Sequence, residues 1–422
     1  MNVLVIGNGG REHALCWKIK QSPLLGKLFQ LPYSAAIGEI AESLKVSALD
    51  FEEIYKICRD NKIELVVVGP EEPLSKGLAD FLISKGVKVF GPKRQGATLE
   101  ASKQVAKEFM YRNYIPTAGF KILYDANYAK EYVKGNKKYP LVIKADGLAA
   151  GKGVRICLNE EEALAAVRDF MEERIFGISG SKIIVEEYLD GYECSVMALV
   201  DGNKFVMLPV SRDHKRLVDN DEGPNTGGMG AFCPVDLKDE LLEEIKNEVL
   251  WRFITGILKE KISYQGVIYA GLMITKEGPR VLEFNCRFGD PETQSIVPLI
   301  KDDLLELLFQ AASGDIKKEK LELSGEKCVS VVLASEGYPT NPVKGDEIVG
   351  LDETDKDVLV FHAATKKEKG EYFTNGGRIL NVSALGPDLE KAREKVYANV
   401  GRINFRGMHF RRDIGGKIEN RE

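Results

Sequence analysis

The sequence contains few of the residues from which metal centres and disulfide frameworks are usually built. It has only 4 histidines and 7 cysteines in 422 residues, and no two cysteines form a C-x-x-C pair. Scattered cysteines are typical of packed or free thiols in a reducing compartment rather than of zinc or disulfide sites. We therefore expect a cytoplasmic protein without a zinc or disulfide framework.

Long apolar runs and an excess of positive charge are also missing. No apolar stretch approaches the ~18 residues needed to cross a bilayer. The chain begins directly with an apolar strand pattern, so no signal peptide is expected. The formal net charge of −5 provides no general attraction for nucleic acid. We expect neither a membrane nor nucleic acid as a partner, and any anionic ligand must be held by local cations.

The chain is too long for one hydrophobic core, which predicts two to four domains. Through the first 100 residues, apolar strands alternate with helical patterns, as in a parallel sheet. The last segment has short strands between glycine turns and one late helix, which is typical of a small α+β domain that closes one side of a cleft. The predicted fold class is α/β and α+β multidomain. The predicted domains are residues 1–102, residues 103–327 with a mobile lid at about 118–190, and residues 328–422.

The first strand pattern ends in a glycine-rich turn, and a helical pattern follows. Gly9, Gly10 and Arg11 stand where backbone N–H groups at a helix start can hold an anion. A dinucleotide fingerprint would need glycine at position 12, where Glu12 stands. Three interpretations stay open: a phosphate or carboxylate site, a tight structural turn, and a dinucleotide site, which Glu12 disfavours.

A second glycine-rich stretch, residues 144–154, lies between two strand patterns. Small residues such as Gly151 and Gly153 let a backbone approach phosphates, and Lys144 and Lys152 supply positive charge. A Walker A loop would require Ser or Thr at position 153. The pattern therefore predicts either a mobile hairpin that closes over a nucleotide or a purely structural glycine hairpin.

Two more segments carry candidate nucleotide contacts. Lys103 lies within a helix predicted at residues 97–112, and without further context it would be a solvated lysine. Residues 183–193 form an apolar strand pattern that leads into paired acids. Either this is a simple strand end, or its backbone meets an adenine edge while Glu193 accepts hydrogen bonds from ribose hydroxyls.

Residues 281–294 combine an apolar strand pattern with oxygen ligands and charges. Glu283 and Asn285 lie two residues apart, on one face of the strand. A carboxylate with an amide oxygen suits Mg²⁺, which shares such ligands with phosphates. Arg287 and Asp290 follow in a polar turn. The alternative is an edge strand with a solvated turn, but the lysine- and glycine-rich stretch supplies phosphate chemistry and favours the metal.

Residues 211–230 are mostly polar or small and show no periodicity. Loops of this length in compact domains are usually functional or disordered. The concentration of both charge signs favours an ordered ligand-binding loop around Asp213, His214 and Lys215, although His214 taken alone would be a hydrogen-bonded surface residue. Residues 376–378, Gly-Gly-Arg, are either a hairpin turn or part of the site.

These motifs, in this order, resemble those of the ATP-grasp ligases and, within them, of the phosphoribosylamine–glycine ligase family. The resemblance covers essentially the whole chain. Its most specific pieces are GNGGREHA, GPEEPL, KADGLAAGKGV, SRDHKR followed by GPNTGGMGA, LEFNCRFGDPETQ, GGRIL and FRGMHFRRDIG. The resemblance implies an ATP-grasp fold with an amino-terminal, Rossmann-like parallel-sheet domain and a small carboxy-terminal α+β domain.

The resemblance also implies an activity, ligands and site residues. The activity is ATP-dependent ligation of glycine to 5-phosphoribosylamine through a glycyl phosphate, in purine biosynthesis, with Mg²⁺ or Mn²⁺ on Glu283 and Asn285. The implied ATP-binding residues are Lys103, Lys144, Gly151, Lys152, Gly153, Glu186, Glu187, Leu189 and Glu193. The implied substrate-binding residues are Gly9, Gly10, Arg11, Asp213, His214, Lys215, Arg287, Gly289 and Asp290. Catalytic roles are implied for Lys144, Arg287 and Asp290. We expect a monomer that makes transient contact with the enzyme supplying phosphoribosylamine.

The sequence departs from the family pattern at the proposed metal site, and three rival functions remain. Many ATP-grasp enzymes place another acidic metal ligand about twelve residues before Glu283, but Gly271 stands there, which leaves the ligands of a second metal open. The rivals are an ATP-grasp ligase for a different carboxylate, a non-catalytic nucleotide sensor and a hydride-transferring dehydrogenase. Intact Lys144, Glu283 and Asn285 argue against the sensor, and Glu12 argues against the dehydrogenase.

Overall fold

The computed structural model describes residues 1–147 and 153–416. Its first unit is a five-stranded parallel sheet in the order β3-β2-β1-β4-β5. The strands are β1 (Asn2–Ile6), β2 (Leu28–Leu31), β3 (Glu42–Ser43), β4 (Ile63–Val68) and β5 (Val89–Phe90), and the helices are α1 (Gly10–Ile19), α2 (Phe51–Asp60), α3 (Glu71–Lys76), α4 (Leu78–Ser84) and α5 (Arg94–Ala101). The central strands are almost wholly buried, as their continuous apolar sequences predict for a parallel sheet covered on both faces.

The next unit is a four-stranded antiparallel sheet in the order β6-β9-β7-β8, preceded by a helix. Its elements are α6 (Lys103–Arg112), β6 (Phe120–Leu123), α7 (Ala126–Lys134), β7 (Leu141–Ala145), β8 (Val154–Cys157), α8 (Glu160–Val167) and β9 (Ile183–Glu187). The predicted hairpin between two strands is confirmed, because β7 pairs with β8. Gly151 and Lys152 lie outside the described residues.

The single helix predicted at residues 97–112 is wrong, because the chain is extended at Ser102 (φ −134, ψ 114). The Ser102 side chain accepts a hydrogen bond from the N–H of Val105 and caps α6. Lys103 consequently occupies the first position of a new helix. The break separates α6 from α5, and α6 contributes Ala106, Phe109 and Met110 to the core.

A second antiparallel sheet, in the order β11-β10-β16-β17, forms the base of the central region. The elements from this region are β10 (Tyr192–Val200), β11 (Phe205–Met207), β12 (Arg212–Asp213), β13 (Arg216–Val218), β14 (Glu222–Asn225), β15 (Gly230–Cys233), α9 (Asp239–Ile245), a π-helical segment (Lys246–Trp251), α10 (Arg252–Lys259), β16 (Gly266–Thr275), β17 (Gly278–Asn285), α11 (Glu292–Ile296) and α12 (Leu304–Ser313). The structure therefore corrects the expectation of an irregular segment at 211–230, which contains a hairpin, β13–β14, between two short strands.

The last segment completes a sheet that earlier residues begin. Its elements are β18 (Lys327–Ala334), β19 (Glu347–Ile348), β20 (Leu359–His362), β21 (Thr365–Glu368), β22 (Glu371–Thr374), β23 (Arg378–Gly386) and α13 (Leu389–Val400). The sheet order is β12-β15-β18-β23-β20, so the two strands that flank the 213–230 region belong to the same sheet as the carboxy-terminal strands. Among the described residues, no helix combines the length and apolar character required to cross a membrane.

The core of the central region includes a cluster of aromatic rings around Phe253 on α10. The ring of Phe253 contacts Phe109, Tyr264 and Phe284 at centroid distances of 5.8, 5.1 and 5.5 Å. Because Phe253 is fully buried, the cluster joins α6, α10 and β17 and fixes the strand that carries Glu283.

Removal of this ring should destabilise the protein strongly. We expect Phe253→Ala to lower the free energy of unfolding by about 3–5 kcal/mol, since it leaves a cavity in a packed core. Urea denaturation followed by circular dichroism measures the change. Leu258→Ala on the exposed side of the same helix is the control, and it should change stability by less than ~1 kcal/mol. Equal effects of the two substitutions would contradict the assignment of Phe253 to the core.

Candidate active site

A cavity of about 380 Å³ lies where the amino-terminal unit, the central sheets and the carboxy-terminal segment meet. Many of the residues singled out in the sequence line it: Arg11, Lys103, Lys144, Gly153, Glu186, Asp213, Lys215, Glu283, Asn285, Arg287 and Asp290. The tertiary structure thus brings together motifs that are up to 280 residues apart in the sequence.

The lysine side of the cavity is built from α6, β7 and β9. Lys144 on β7 is a diagonal neighbour of Glu186 on β9, because Val142 stands directly opposite Glu186. The Nζ of Lys144 lies 2.9 Å from Glu186 Oε2 and donates to the carbonyl of Leu282 at 3.1 Å. The Nζ of Lys103 donates to the carbonyl of Gly147 at 3.0 Å. Two cations therefore face the cavity, Lys103 from the start of α6 and Lys144 from β7.

Glu283 and Asn285 reach the cavity from β17. They stand directly opposite Gly271 and Tyr269 on β16, so these four residues share one face of the sheet. Glu283 makes no hydrogen bond or ion pair with another described residue. Burial alone would raise the pKa of Glu283, but the ammonium groups of Lys215, Lys103 and Lys144 lower it. The carboxylate is therefore charged and available as a ligand.

These two oxygen ligands fit Mg²⁺ or Mn²⁺. Mg²⁺ sites in phosphate-transferring proteins commonly use one or two carboxylates and take their other ligands from phosphates and water. The described residues contain no group of three or more acidic, histidine or cysteine side chains that could hold a metal by themselves. With Gly271 opposite Glu283, β16 supplies no second carboxylate, so a metal here depends on ligands from a bound phosphate.

Arg287 is held in ion pairs with acids from the amino-terminal unit. Its Nη2 lies 3.1 Å from Glu100 Oε1, and its Nε lies 3.5 Å from Glu71 Oε2. Its Nη2 also donates to Asn285 Oδ1 at 3.2 Å. Two carboxylates therefore already compensate the guanidinium that the sequence suggested for binding substrate. Arg287 also orients the amide of Asn285, and this contact indicates a role in organising the proposed metal site.

Another part of the cavity is lined by charged groups from three segments of the chain, around Asp213, Asp290 and Arg378. The Nη2 of Arg378 lies 3.2 Å from Asp290 Oδ2, and its Nη1 donates to the carbonyl of Gly227 at 2.6 Å. The Oδ1 of Asp213 is buried and has no hydrogen-bond partner, and burial and the nearby Glu292 raise the pKa of this carboxyl well above its ordinary value. This part of the cavity therefore combines a cation with acids of different proton affinity.

Hydrogen bonds and an ion pair from Arg411 hold the segment that follows Asp213. Arg411, which is 1% exposed, bonds to Asp413 through Nε (2.8 Å) and Nη2 (2.6 Å), to Asp221 at 2.8 Å and to the carbonyl of Arg216 at 3.1 Å. The FRGMHFRRDIG motif does not line the cavity. Through these contacts it supports the segment that leads from Asp213 and Lys215, which do. Burial and the cation Arg411 lower the pKa of His214 to about 4, so this histidine is neutral at pH 7.

The amino-terminal glycine turn is filled by its own glutamate. Glu12 Oε2 accepts the N–H of Gly9 at 2.8 Å, and Glu12 Oε1 accepts from Arg11 Nε at 2.5 Å. A Cβ on Gly7 would lie 2.6 Å from the Glu12 side chain, so the turn requires glycine because Glu12 packs into it. This arrangement further disfavours a dinucleotide, and it leaves Arg11 as the residue of this turn that lines the cavity.

Other residues predicted for the site do not line the cavity in this structure. They are Gly9, Gly10, Glu187, Leu189, Glu193, His214 and Gly289. Glu193 lies 3.3 Å from Lys215 Nζ, and Glu187 accepts the N–H of Gly119 at 2.7 Å. Their ligand-binding roles stay predictions.

Several cavity residues were not identified from the sequence. They are Glu71, Glu100, Lys107 and Tyr269, and Arg378 was left open as a hairpin residue. A signal existed for Lys107, because it follows Lys103 by four residues and so shares its helix face. Tyr269 gave no such signal. It donates a hydrogen bond of 2.5 Å to Glu292, which belongs to the polar turn that follows Arg287.

The fold and this site together define an ATP-grasp protein. Solved structures at low sequence identity share the fold, such as biotin carboxylase from Campylobacter jejuni, with a TM-score of 0.74 and 16% identity over 97% of this chain and 92% of that one. The chain belongs to the phosphoribosylglycinamide synthetase family. Models of the family's N, ATP-grasp (A) and C domains match residues 1–100, 101–293 and 328–417.

Relatives with higher identity extend over the whole chain. It is 42% identical to phosphoribosylamine–glycine ligase from Halalkalibacterium halodurans, over 99% of this chain and 97% of that protein. It is similar to the structure of phosphoribosylamine–glycine ligase from Thermotoga maritima, with a TM-score of 0.87 and 36% identity over 98% of this chain and all of that one. It is also 46% identical to trifunctional purine biosynthetic proteins adenosine-3 from Drosophila pseudoobscura pseudoobscura and Gallus gallus, of which it spans only 31% and 42%.

Proposed function

We propose that this chain ligates glycine to 5-phosphoribosylamine at the expense of ATP, giving glycinamide ribonucleotide, ADP and phosphate, in purine biosynthesis. The observation that carries the proposal is the composition of one cavity. Lysines on one side face the oxygen pair Glu283 and Asn285, and charged groups from the amino- and carboxy-terminal segments close the other side. The family membership supports the same substrates.

The lysine side suits the triphosphate of ATP. ATP and a carboxylate substrate repel each other, and the ammonium groups of Lys103 and Lys144 offset that repulsion in a site shielded from water. Glu283 and Asn285 would hold Mg²⁺ or Mn²⁺, which supplies charge neutralisation on the phosphates when bound. Asn285 is already oriented by Arg287 for this purpose.

The opposite side suits the two other substrates. Asp290 would hold the ammonium group of glycine, together with Asp213 once the bound cation lowers the raised pKa of that carboxyl. The cations Lys215 and Arg378 would hold the carboxylate of glycine. Arg11 is the candidate for the phosphate of phosphoribosylamine, because its guanidinium lines the cavity and can donate hydrogen bonds to phosphate oxygens. These five residues line the same cavity as the lysines.

The reaction then needs orientation more than covalent chemistry by the protein. A carboxylate oxygen of glycine attacks the γ-phosphorus and the bond to ADP breaks, which gives glycyl phosphate. The amine of phosphoribosylamine attacks the carbonyl carbon, the bond to phosphate breaks and the amine loses one proton. Holding three reactants in place can lower such a barrier by ~7–11 kcal/mol. No side chain has to form a covalent intermediate.

An acyl phosphate must be protected from water. The cavity is lined by Gly147, which follows β7, and by Gly153, which precedes β8. Closure of the β7–β8 hairpin over bound nucleotide would exclude water during the lifetime of the intermediate. This role of the hairpin is part of the proposal.

The test is the release of ADP and phosphate from ATP and Mg²⁺ with glycine, while phosphoribosylamine is generated in place from ribose 5-phosphate and ammonia. We expect turnover that requires both glycine and phosphoribosylamine. Turnover that ignores glycine but depends on another carboxylic acid would retain the fold and overturn the substrate. Tight ATP binding without turnover under any of these conditions would favour a nucleotide sensor.

We further propose that the protein acts in the cytoplasm. Its seven cysteines are all buried and form no disulfide, which a reducing compartment favours. The monomeric state and the transient contact with the enzyme supplying phosphoribosylamine stay predictions. Analytical ultracentrifugation at micromolar concentration checks the first of them.

A further inference from the structure

Lys107 is a buried cation for which the proposed reaction has no direct role. Its side chain is 2% exposed, and it lies one turn after Lys103 on α6. The Nζ lies 2.9 Å from Glu186 Oε2 and donates to Thr117 Oγ1 at 2.6 Å, and Thr117 donates in turn to the carbonyl of Val281 at 2.6 Å. Lysine is rarely buried so completely unless it is paired, because desolvation of an ammonium group is costly.

The partner of Lys107 is shared. Oε2 of Glu186 lies 2.9 Å from the Nζ of Lys107 and 2.9 Å from the Nζ of Lys144, whereas Oε1 is buried and has no hydrogen-bond partner. One carboxylate thus lies between two ammonium groups. Burial would raise the pKa of Glu186, but Lys144 and Lys107 lower it, so the carboxylate carries its charge and the three groups together have a net charge of +1.

Without Lys107, Lys144 and Glu186 would form a one-to-one ion pair with no net charge. A carboxylate 2.9 Å from an ammonium group cancels most of the potential that the ammonium group exerts farther away. The pair would then have little attraction for a polyphosphate in the cavity. Burial and Lys144 lower the pKa of Lys107 to about 8, so it is still largely protonated at pH 7.

We propose that Lys107 is a positioning residue whose charge offsets Glu186 and so leaves Lys144 an effective cation for the phosphates of the nucleotide. The inference rests on the proposed role of Lys144 in ATP binding. Other charged side chains lie near this cluster: Lys103 from the same helix, Asp146 after β7, and Glu283 from β17 with Lys215 beside it. Replacing Lys107 leaves these groups in place, so the substitution changes only the charge of the three-residue cluster.

Calorimetric titration with ATP and with adenosine tests the inference without relying on turnover. We expect Lys107→Met to weaken ATP binding about 10- to 100-fold and to leave adenosine binding within ~3-fold, since only the phosphates sense the lost charge. Lys121 is an exposed lysine on β6, so Lys121→Met is the matched control and should change neither affinity. Circular dichroism establishes that each variant is folded.

The decisive variant combines Lys107→Met with Glu186→Gln. Removing the carboxylate as well restores the net charge of +1, so the ratio of ATP affinity to adenosine affinity should return to within ~3-fold of that of the parent protein. A purely structural role of Lys107 predicts no such recovery. An equal loss for ATP and adenosine in the single variant, or no recovery in the double variant, would overturn the inference and leave the ligase proposal intact. If the parent protein itself binds ATP no more tightly than adenosine, the proposed role of Lys144 fails together with the inference.

Discussion

Replacing Glu283 with glutamine should reduce ligase turnover by about 100- to 1,000-fold, with little change in stability. The substitution keeps the shape of the side chain and removes the one charged oxygen ligand that β17 presents to the cavity. Because the carboxylate makes no ion pair with another described residue, its loss leaves no buried cation unpaired. The rate of ADP release at saturating Mg²⁺ and at increasing Mn²⁺ measures the effect.

Glu277→Gln is the matched control for this substitution. Glu277 is exposed at the turn between β16 and β17, so the same chemical change there should leave turnover unaltered. A Glu283→Gln variant with the parent rate at low Mg²⁺ would rule out the metal role of Glu283. A reduced rate that rises again with Mn²⁺ would instead support a weakened metal site.

Replacing Lys144 with methionine should raise the ATP concentration needed for half-maximal turnover by roughly 30- to 1,000-fold. The loss of one partner from a buried, hydrogen-bonded set of charges commonly costs about 2–4 kcal/mol, and each 1.4 kcal/mol is tenfold in affinity. The protein should still fold, because Glu186 keeps its ion pair with Lys107. Initial rates over a range of ATP concentrations, at saturating glycine, separate KM from kcat.

The exposed Lys137→Met, which lies in the loop before β7, is the control for Lys144→Met. Its KM for ATP should equal that of the parent protein. If Lys144→Met left the affinity for ATP unchanged, the phosphate role of Lys144 would be wrong, and the lysine would serve only to neutralise Glu186. Loss of folded protein in Lys144→Met would show that Lys107 alone cannot stabilise the buried carboxylate.

The two predictions concern neighbouring residues of one cavity, but they differ in what they should change. The Glu283 substitution removes a ligand whose contribution is greatest when charge moves between phosphates, so kcat should fall. The Lys144 substitution removes charge that bound ATP senses before any reaction, so KM should rise. A kinetic result with the two effects exchanged would require the ATP phosphates to lie differently in the cavity.

Local patterns in the sequence were sufficient for the parts of the site that depend on spacing along one element. Glu283 and Asn285 share a face because side chains alternate along a strand, and the hairpin at 144–154 follows from two strand patterns around small residues. The parallel sheet of the first unit follows from alternating strands and helices. In each case the structure depends on interactions within a short segment, so the sequence of that segment is sufficient to predict it.

Other features depend on contacts between distant segments, and only the tertiary structure decided them. The helix at residues 97–112 is interrupted because Ser102 can cap α6 while Asp146, which follows β7, accepts the N–H of Gln104 at 3.0 Å. The strands β12 and β15 join the carboxy-terminal sheet because β15 pairs with β18, almost 100 residues later. No periodicity within either segment contains that information.

The same limit applies to the charges of the site. The sequence by itself determined the family resemblance, the glycine turns and the oxygen pair on β17, because each is a short pattern with its own local geometry. It could not determine that Lys107 and Lys144 share Glu186, that two acids hold Arg287, or that Arg378 reaches Asp290 from the carboxy-terminal segment. The effect of a charge depends on which other charges burial brings within a few ångströms of it, and that is decided only when the whole chain is folded.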